Sequence, residues 1–179
     1  MEADPDDDTA LVLSWTKVEG ASGYDVFFAR SDDYEFDLYM EVGSATTRIR
    51  IPNLNKGTTY KACVKAWKGE GFIGDTSPYV HAIAGGYNSR YCNTKSVKVD
   101  RSKVTLAVGD AYQIDASVSG VRRDRMLVNR ENDVRYYSSN IHVATVSETG
   151  EIRATGTGSC RIYAMANNGA KASVKVTVK

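Results

Sequence analysis

Short runs in which apolar and polar residues alternate fill both halves of the chain. LVLSW at 11–15, GYDVFFA at 23–29 and RIRI at 48–51 change face at each residue, and RIRI stops at Pro52. TYKACVKAW at 59–67 is a longer run of the same kind, and SPYVHAIA at 77–84 closes the set. Period two, with Gly, Asn, Asp or Pro between runs, predicts antiparallel strands that bury one face. A second set follows Gly85-Gly86: KSVKVDRSKVTLAVGDAYQIDASV at 95–118, YSSNIHVATVSETGEIRATGTGSCRIY at 137–163, and SVKVTV at 173–178. No helical period interrupts either set. Strands this short must reverse before leaving the core, which is what a two-sheet sandwich requires. The fold class read from the pattern is therefore all-β, two sandwiches in tandem over residues 1–85 and 86–179. The linker GGYNSRYCN is short and aromatic, and predicts a fixed junction.

Particular residues add to this. The first half carries Leu13-Ser14-Trp15, Gly23-Tyr24-Asp25-Val26, and then Leu54, Thr58, Tyr60, Ala62, Val64 and Ala66. This series resembles a fibronectin type III domain. The resemblance implies that Trp15 is a core centrepiece and that the Leu54-to-Tyr60 spacing forms a tyrosine corner. Only fourteen residues precede Trp15, so the first strand of that family is expected to be short or missing. LVLSW would then carry a bare edge, with Asp6, Asp7 and Asp8 repelling edge-to-edge pairing and the chain a monomer. The second half has Leu106, Val108 and Gly109-Asp110, then Tyr137-Ser138-Ser139-Asn140, Val143 to Ser147, Thr149-Gly150 and Gly156-x-Gly158. These resemble the group 2 bacterial immunoglobulin-like domain, with Tyr137 standing where that family has Trp. Both resemblances imply immunoglobulin-like sandwiches and a non-catalytic role in bacterial cell-surface or secreted proteins.

Composition narrows the alternatives. The chain has 179 residues, 42% of them hydrophobic and 25% charged, which suits a soluble globular protein with adequate cores. A net charge of +1 supplies no global field for nucleic acid or an anionic membrane. No apolar run is long enough for direct membrane insertion, and MEADPDDDTA reads as no signal peptide. An extracellular or cell-surface location follows from the resemblance alone. The three cysteines have no metal-ligand spacing. Cys160, in phase with Ile162 and Ala164, is expected to be a buried free thiol. Cys63, read as outward-facing, and Cys92, in the linker, are the one pair considered for a disulfide.

Candidate chemistry is sparse. Asp4, Asp6, Asp7 and Asp8 lack the central Gly and distal Glu of a calcium loop, so a disordered acidic tail is expected. His81 and His142 have no Ser or Cys partner in a recognisable motif, so neither a catalytic triad nor a cofactor or metal site is assigned. The long basic stretch at 120–135 reads either as a solvated loop with internal ion pairs or as a partner-facing arm anchored by Met126, Leu127 and Val128. Alternation also turns Phe27, Cys63 and Trp67 outward on one sheet face, as an apolar patch that is either covered by Tyr39, the linker aromatics Tyr87 and Tyr91 or the neighbouring domain, or open to a protein or sugar partner. The expected partners are other domains of a larger protein, and a host or cell-wall glycan or protein. Two roles are weighed: a structural or adhesive module that spaces other domains, and an accessory carbohydrate-contacting module of a secreted polysaccharide-degrading enzyme.

Overall fold

A computed structural model describes residues 1–128 and 134–179. The chain divides into two compact units: Met1–Asn93 with Val121–Val128, and Thr94–Gly120 with Asn129–Lys179. Every described element is a strand or turn. In chain order the strands are β1 (Glu2–Ala3), β2 (Leu11–Ser14), β3 (Gly23–Arg30), β4 (Asp37–Gly43) and β5 (Arg48–Ile51). Next come β6 (Thr59–Lys68), β7 (Gly71–Ile73), β8 (Val80–Ile83), β9 (Tyr91–Cys92), β10 (Thr94–Val99) and β11 (Lys103–Leu106). Then follow β12 (Ala111–Gln113), β13 (Ala116–Gly120), β14 (Met126–Leu127) and β15 (Arg135–Ser138). The last four are β16 (Ala144–Val146), β17 (Glu151–Ala154), β18 (Gly158–Met165) and β19 (Lys171–Val178).

In the first unit, β1-β2-β5 faces β4-β3-β6-β7, and β8 also pairs with β6. The register between β3 and β6 sets Tyr24 against Ala66, Val26 against Val64, and Phe28 against Ala62. Tyr24 and Phe28 on β3 thus meet alanines on β6, which lets Leu11, Leu13 and Ile51 from the opposite sheet fill the core. Tyr60 is buried, and its hydroxyl accepts the Asn55 N–H at 3.0 Å, as the tyrosine-corner spacing implies. Trp15 differs from expectation. It is half-buried at the margin of the core, edge-on to the fully buried Tyr24 at 5.5 Å between ring centroids.

The acidic N-terminal stretch is also ordered, against the expected disordered tail. Glu2 pairs with Val12 and Ala3 with Leu11, so the first strand exists and covers part of the edge of β2. Asp4 and Asp7 both bind Arg50, and Asp8 binds Lys56. Arg50 lies on β5, whose outward residues would otherwise face solvent alone. The opposed charges fold the aspartates back along the sheet, and Asp7 Oδ1 also accepts the Thr9 N–H at 2.9 Å.

The linker segment folds with the first unit. Asn93 acts as a side-chain strand, accepting the Ile83 N–H at 2.7 Å and donating to the Ile83 carbonyl at 3.0 Å. Residues 121–128 join the same unit, where β14 runs parallel to β9 with Met126 beside Tyr91 and Leu127 beside Cys92.

In the second unit, the sheet β11-β19-β18-β15 packs on β12-β17-β16, with β10-β13 alongside. Ile152, Ile162, Val174 and Val176 are fully buried between them. The aromatic that packs inward is Tyr136. The Tyr136 ring packs against both hydrophobic clusters of the unit and lies on Gly150, where an added Cβ would approach it to 2.8 Å. Gly150 has φ +87°, a turn conformation that only glycine adopts without strain. Tyr137 is exposed on the other face, because strand alternation admits one neighbour and excludes the next.

Candidate interaction surfaces

The outer face of β4-β3-β6-β7 carries two of the residues singled out by alternation, and both are half-buried. Phe27 sits opposite Cys63, and Trp67 sits opposite Gly23. Between these pairs lies the Asp25–Lys65 pair, so the two aromatics do not form a continuous apolar patch. Cys63 is buried, contrary to the outward exposure expected of it. On this strand it lies between Lys61 and Lys65 and across from Phe27, and β6 has neighbours on both sides. A short thiol among longer side chains is covered by them. Burial pushes its pKa up, opposed in part by the Lys61 ammonium.

Trp67 lies over Gly23 and contributes to an open groove of about 260 Å³ lined by Phe72, Asp25, Glu41 and Glu70. Lys65 places its ammonium 3.7 Å from the Phe72 ring centroid at the margin of this face. The groove therefore combines two aromatic rings with three carboxylates, a chemistry suited to sugar rings or to cationic groups.

Within the basic stretch, Arg122 and Arg125 both pair with Asp124, whose carboxyl the Arg122 hydrogen bond holds below the usual range. Arg122 also stacks over Tyr87 at 4.9 Å. Val128 is buried, Leu127 is half-buried, and Met126 is 52% exposed. Arg130, Glu131 and Asp133 lie outside the described residues. The cysteines Cys63, Cys92 and Cys160 are all buried free thiols, so the Cys63–Cys92 disulfide considered from sequence does not form. Cys92 instead donates its S–H to the Arg122 carbonyl at 3.4 Å.

One contact escaped the sequence reading altogether. Ser31 Oγ lies 3.1 Å from His81 Nδ1, although the two are fifty positions apart. The turn after β3 meets β8 across β6, and no local motif announces that meeting. Among the described residues no group of His, Cys, Asp and Glu is arranged to hold a metal ion. His142 is exposed, and its N–H donates to Asn140 Oδ1 at 3.0 Å within the Ser-Ser-Asn turn.

The outer face of β11-β19-β18-β15 has a different chemistry. Ile162 and Val174 point inward, so Arg161, Tyr163, Lys171 and Lys175 point outward. Lys103 joins them, opposite Lys175. None of these strands contains Asp or Glu. Tyr163 is enclosed between Tyr137, stacked at 4.8 Å, and the Lys171 ammonium at 5.3 Å.

Residues 1–83 match the fibronectin type III domain family, and residues 93–178 match the bacterial Ig-like domain (group 2) family. No curated protein matches the chain. Among solved structures, a mutant FN3tt domain is 23% identical over 45% of this chain and 81% of its own, with a TM-score of 0.36. The fibronectin(III)-like modules of Clostridium thermocellum CbhA are 18% identical, covering 99% of this chain and 87% of theirs, with a TM-score of 0.34. A C-terminal 282-residue fragment of intimin, solved with the intimin-binding domain of its translocated receptor, is 12% identical over 95% of this chain, with a TM-score of 0.38. The chain spans 57% of that fragment's length.

Proposed function

Because the chain is a fibronectin type III domain followed by a group 2 bacterial Ig-like domain, we propose that it is a non-catalytic structural and interaction module of a bacterial cell-surface or secreted protein. Its work is to space or present other domains of a larger protein and to contact an external protein or glycan, as in adhesion. The observation that carries this reading is the construction of both units as filled sandwiches, each with its own buried core. Charged side chains such as Arg50 and Asp124 are engaged in local surface pairs. Phe27, Trp67, Met126 and Leu127 are the proposed partner contacts.

Exchanging the segment, within its parent protein, for an unrelated pair of sandwiches of equal length tests this. Retained display of the neighbouring domains supports spacing, and retained display with lost adhesion supports contact. Loss of a chemical activity of the parent protein through point changes within this segment would refute the reading.

The Trp67 groove favours a second reading, an accessory carbohydrate-contacting module of a secreted polysaccharide-degrading enzyme. An aromatic ring with flanking carboxylates stacks on a sugar and accepts bonds from its hydroxyls. Polysaccharide pull-down by the intact chain, lost in Trp67→Ala, is the result this reading expects.

A further inference from the structure

We propose that the outer face of the β11-β19-β18-β15 sheet is a binding surface for an acidic polysaccharide. The proposal deepens the interaction role argued above by naming a site and a ligand class, and its test in vitro is independent of any spacing role.

Lys103, Arg161, Lys171 and Lys175 are all exposed on one face, and the four strands contribute no carboxylate. A chain with a net charge of only +1 has thus gathered cations of one sign on a single sheet. None of the four makes an ion pair among the described residues. Self-repulsion among them is unfavourable, and a polyanion relieves it while releasing its own counterions.

Geometry then selects among polyanions. Lys103, Lys175 and Arg161 lie side by side across three strands, since β11 pairs with β19 and β19 with β18. Adjacent strands stand roughly 4.8 Å apart, so the three charges form a short row rather than a pocket. A row on a flat surface suits an extended polymer with an anionic group at regular intervals. Hydroxyls of Ser159, Ser173 and Thr177 lie among the cations, and Arg161 Nη1 donates to Ser173 Oγ at 3.1 Å. These groups match sugar hydroxyls. Tyr137 is 38% exposed and stacks on Tyr163, so an aromatic surface lies beside the cations. Single-stranded nucleic acid needs successive stacking platforms, and duplex DNA needs an element that enters a groove. This face supplies neither.

Binding of the intact chain to polygalacturonate, heparin, neutral dextran and duplex DNA, measured over a range of salt concentrations, tests the proposal. The expected result is salt-sensitive binding of at least one acidic polysaccharide and none of dextran. The variant K103Q/R161Q/K175Q, shown by circular dichroism to be folded, loses roughly tenfold in affinity, and the slope of log Kd against log salt falls by about one for each cation removed. K95Q/K98Q/R101Q, which removes equal charge outside these strands, leaves binding unchanged. Failure to bind either acidic polysaccharide at low salt, an equal loss in the off-face variant, or tighter binding of DNA than of the polysaccharides would each overturn it.

Discussion

The indole of Trp67 occupies the space that a side chain at Gly23 would need. A Cβ at position 23 would lie 2.3 Å from the ring Cζ2 and 2.5 Å from the Val42 carbonyl oxygen. Gly23→Ala is expected to cost about 1–3 kcal/mol by overpacking. Its cross-strand partner Gly43 has nothing within 4 Å, so Gly43→Ala should stay within about 0.5 kcal/mol of the parent. Denaturant melts of the two variants decide the matter. Equal stability would mean that Trp67 is not held over Gly23 in solution.

Tyr60→Phe removes the hydroxyl that accepts the Asn55 N–H. The ring still packs, stacked on Phe28 at 5.1 Å, but a partly buried donor loses its acceptor. A loss of about 1–2 kcal/mol is expected in the first unit. A neutral substitution would show that water replaces the hydroxyl without penalty.

Tyr136 and Tyr137 are neighbours with opposite fates. Tyr136→Ala should destabilise the second unit by about 3 kcal/mol, because it empties the space above Gly150. Tyr137→Ala should cost less than about 1 kcal/mol, since only a surface stack is lost. Reversed magnitudes would mean that Tyr137, and not Tyr136, packs inward in solution.

Alkylation separates the buried thiols from any disulfide. The folded chain should react slowly with iodoacetamide in the absence of reductant, since all three cysteines are buried and burial raises the Cys63 pKa. After unfolding without reductant, mass measurement should show three modified thiols. Fewer would reveal a bond that the folded geometry lacks.

Acid should weaken the chain through particular carboxylates. Hydrogen bonds from the Asp6 backbone and Arg50 hold Asp4 below the ordinary carboxylate range, the Thr9 hydroxyl and N–H do the same for Asp7, and the Tyr112 hydroxyl does so for Asp100. A carboxyl with a lowered folded pKa contributes stability above its unfolded value, about 3.9. That contribution is lost as pH falls through the lower folded value. The melting temperature should therefore be insensitive to these groups at neutral pH and fall below about pH 4. Tyr112→Phe, which removes the largest cause at Asp100, should make the acid decline shallower. An identical decline in the variant would exclude this pair as a source.

Strand alternation made the architecture legible, because period two directly reports which residues face a core. Tyr24, Val26, Tyr60 and Ala62 all lie inward as their phase requires. Alternation reports direction and not cover, however. Cys63 faces outward and is still buried, because its depth depends on the length of its neighbours. The family pattern at Tyr137 does not report which of two adjacent tyrosines packs inward, since one position in a strand reverses the face completely. The N-terminal aspartates read as a solvated tail because their partners, Arg50 and Lys56, are more than forty positions away. The cationic sheet face was hidden for a similar reason. Lys103, Arg161 and Lys175 come from three separate strands, and only the register joins them.

Residues 121–128 leave the second half of the chain to pair with β9, and this bears on how such genes are cut and joined. A recombination point at Gly85-Gly86 would look natural on the sequence. A transplanted first module ending there would lose Asn93, which bonds Ile83 through both side-chain atoms, and the β9–β14 pair. The transferable unit is consequently larger than one repeat. Inheritance of the two modules as a pair preserves these bonds, whereas shuffling either alone breaks them.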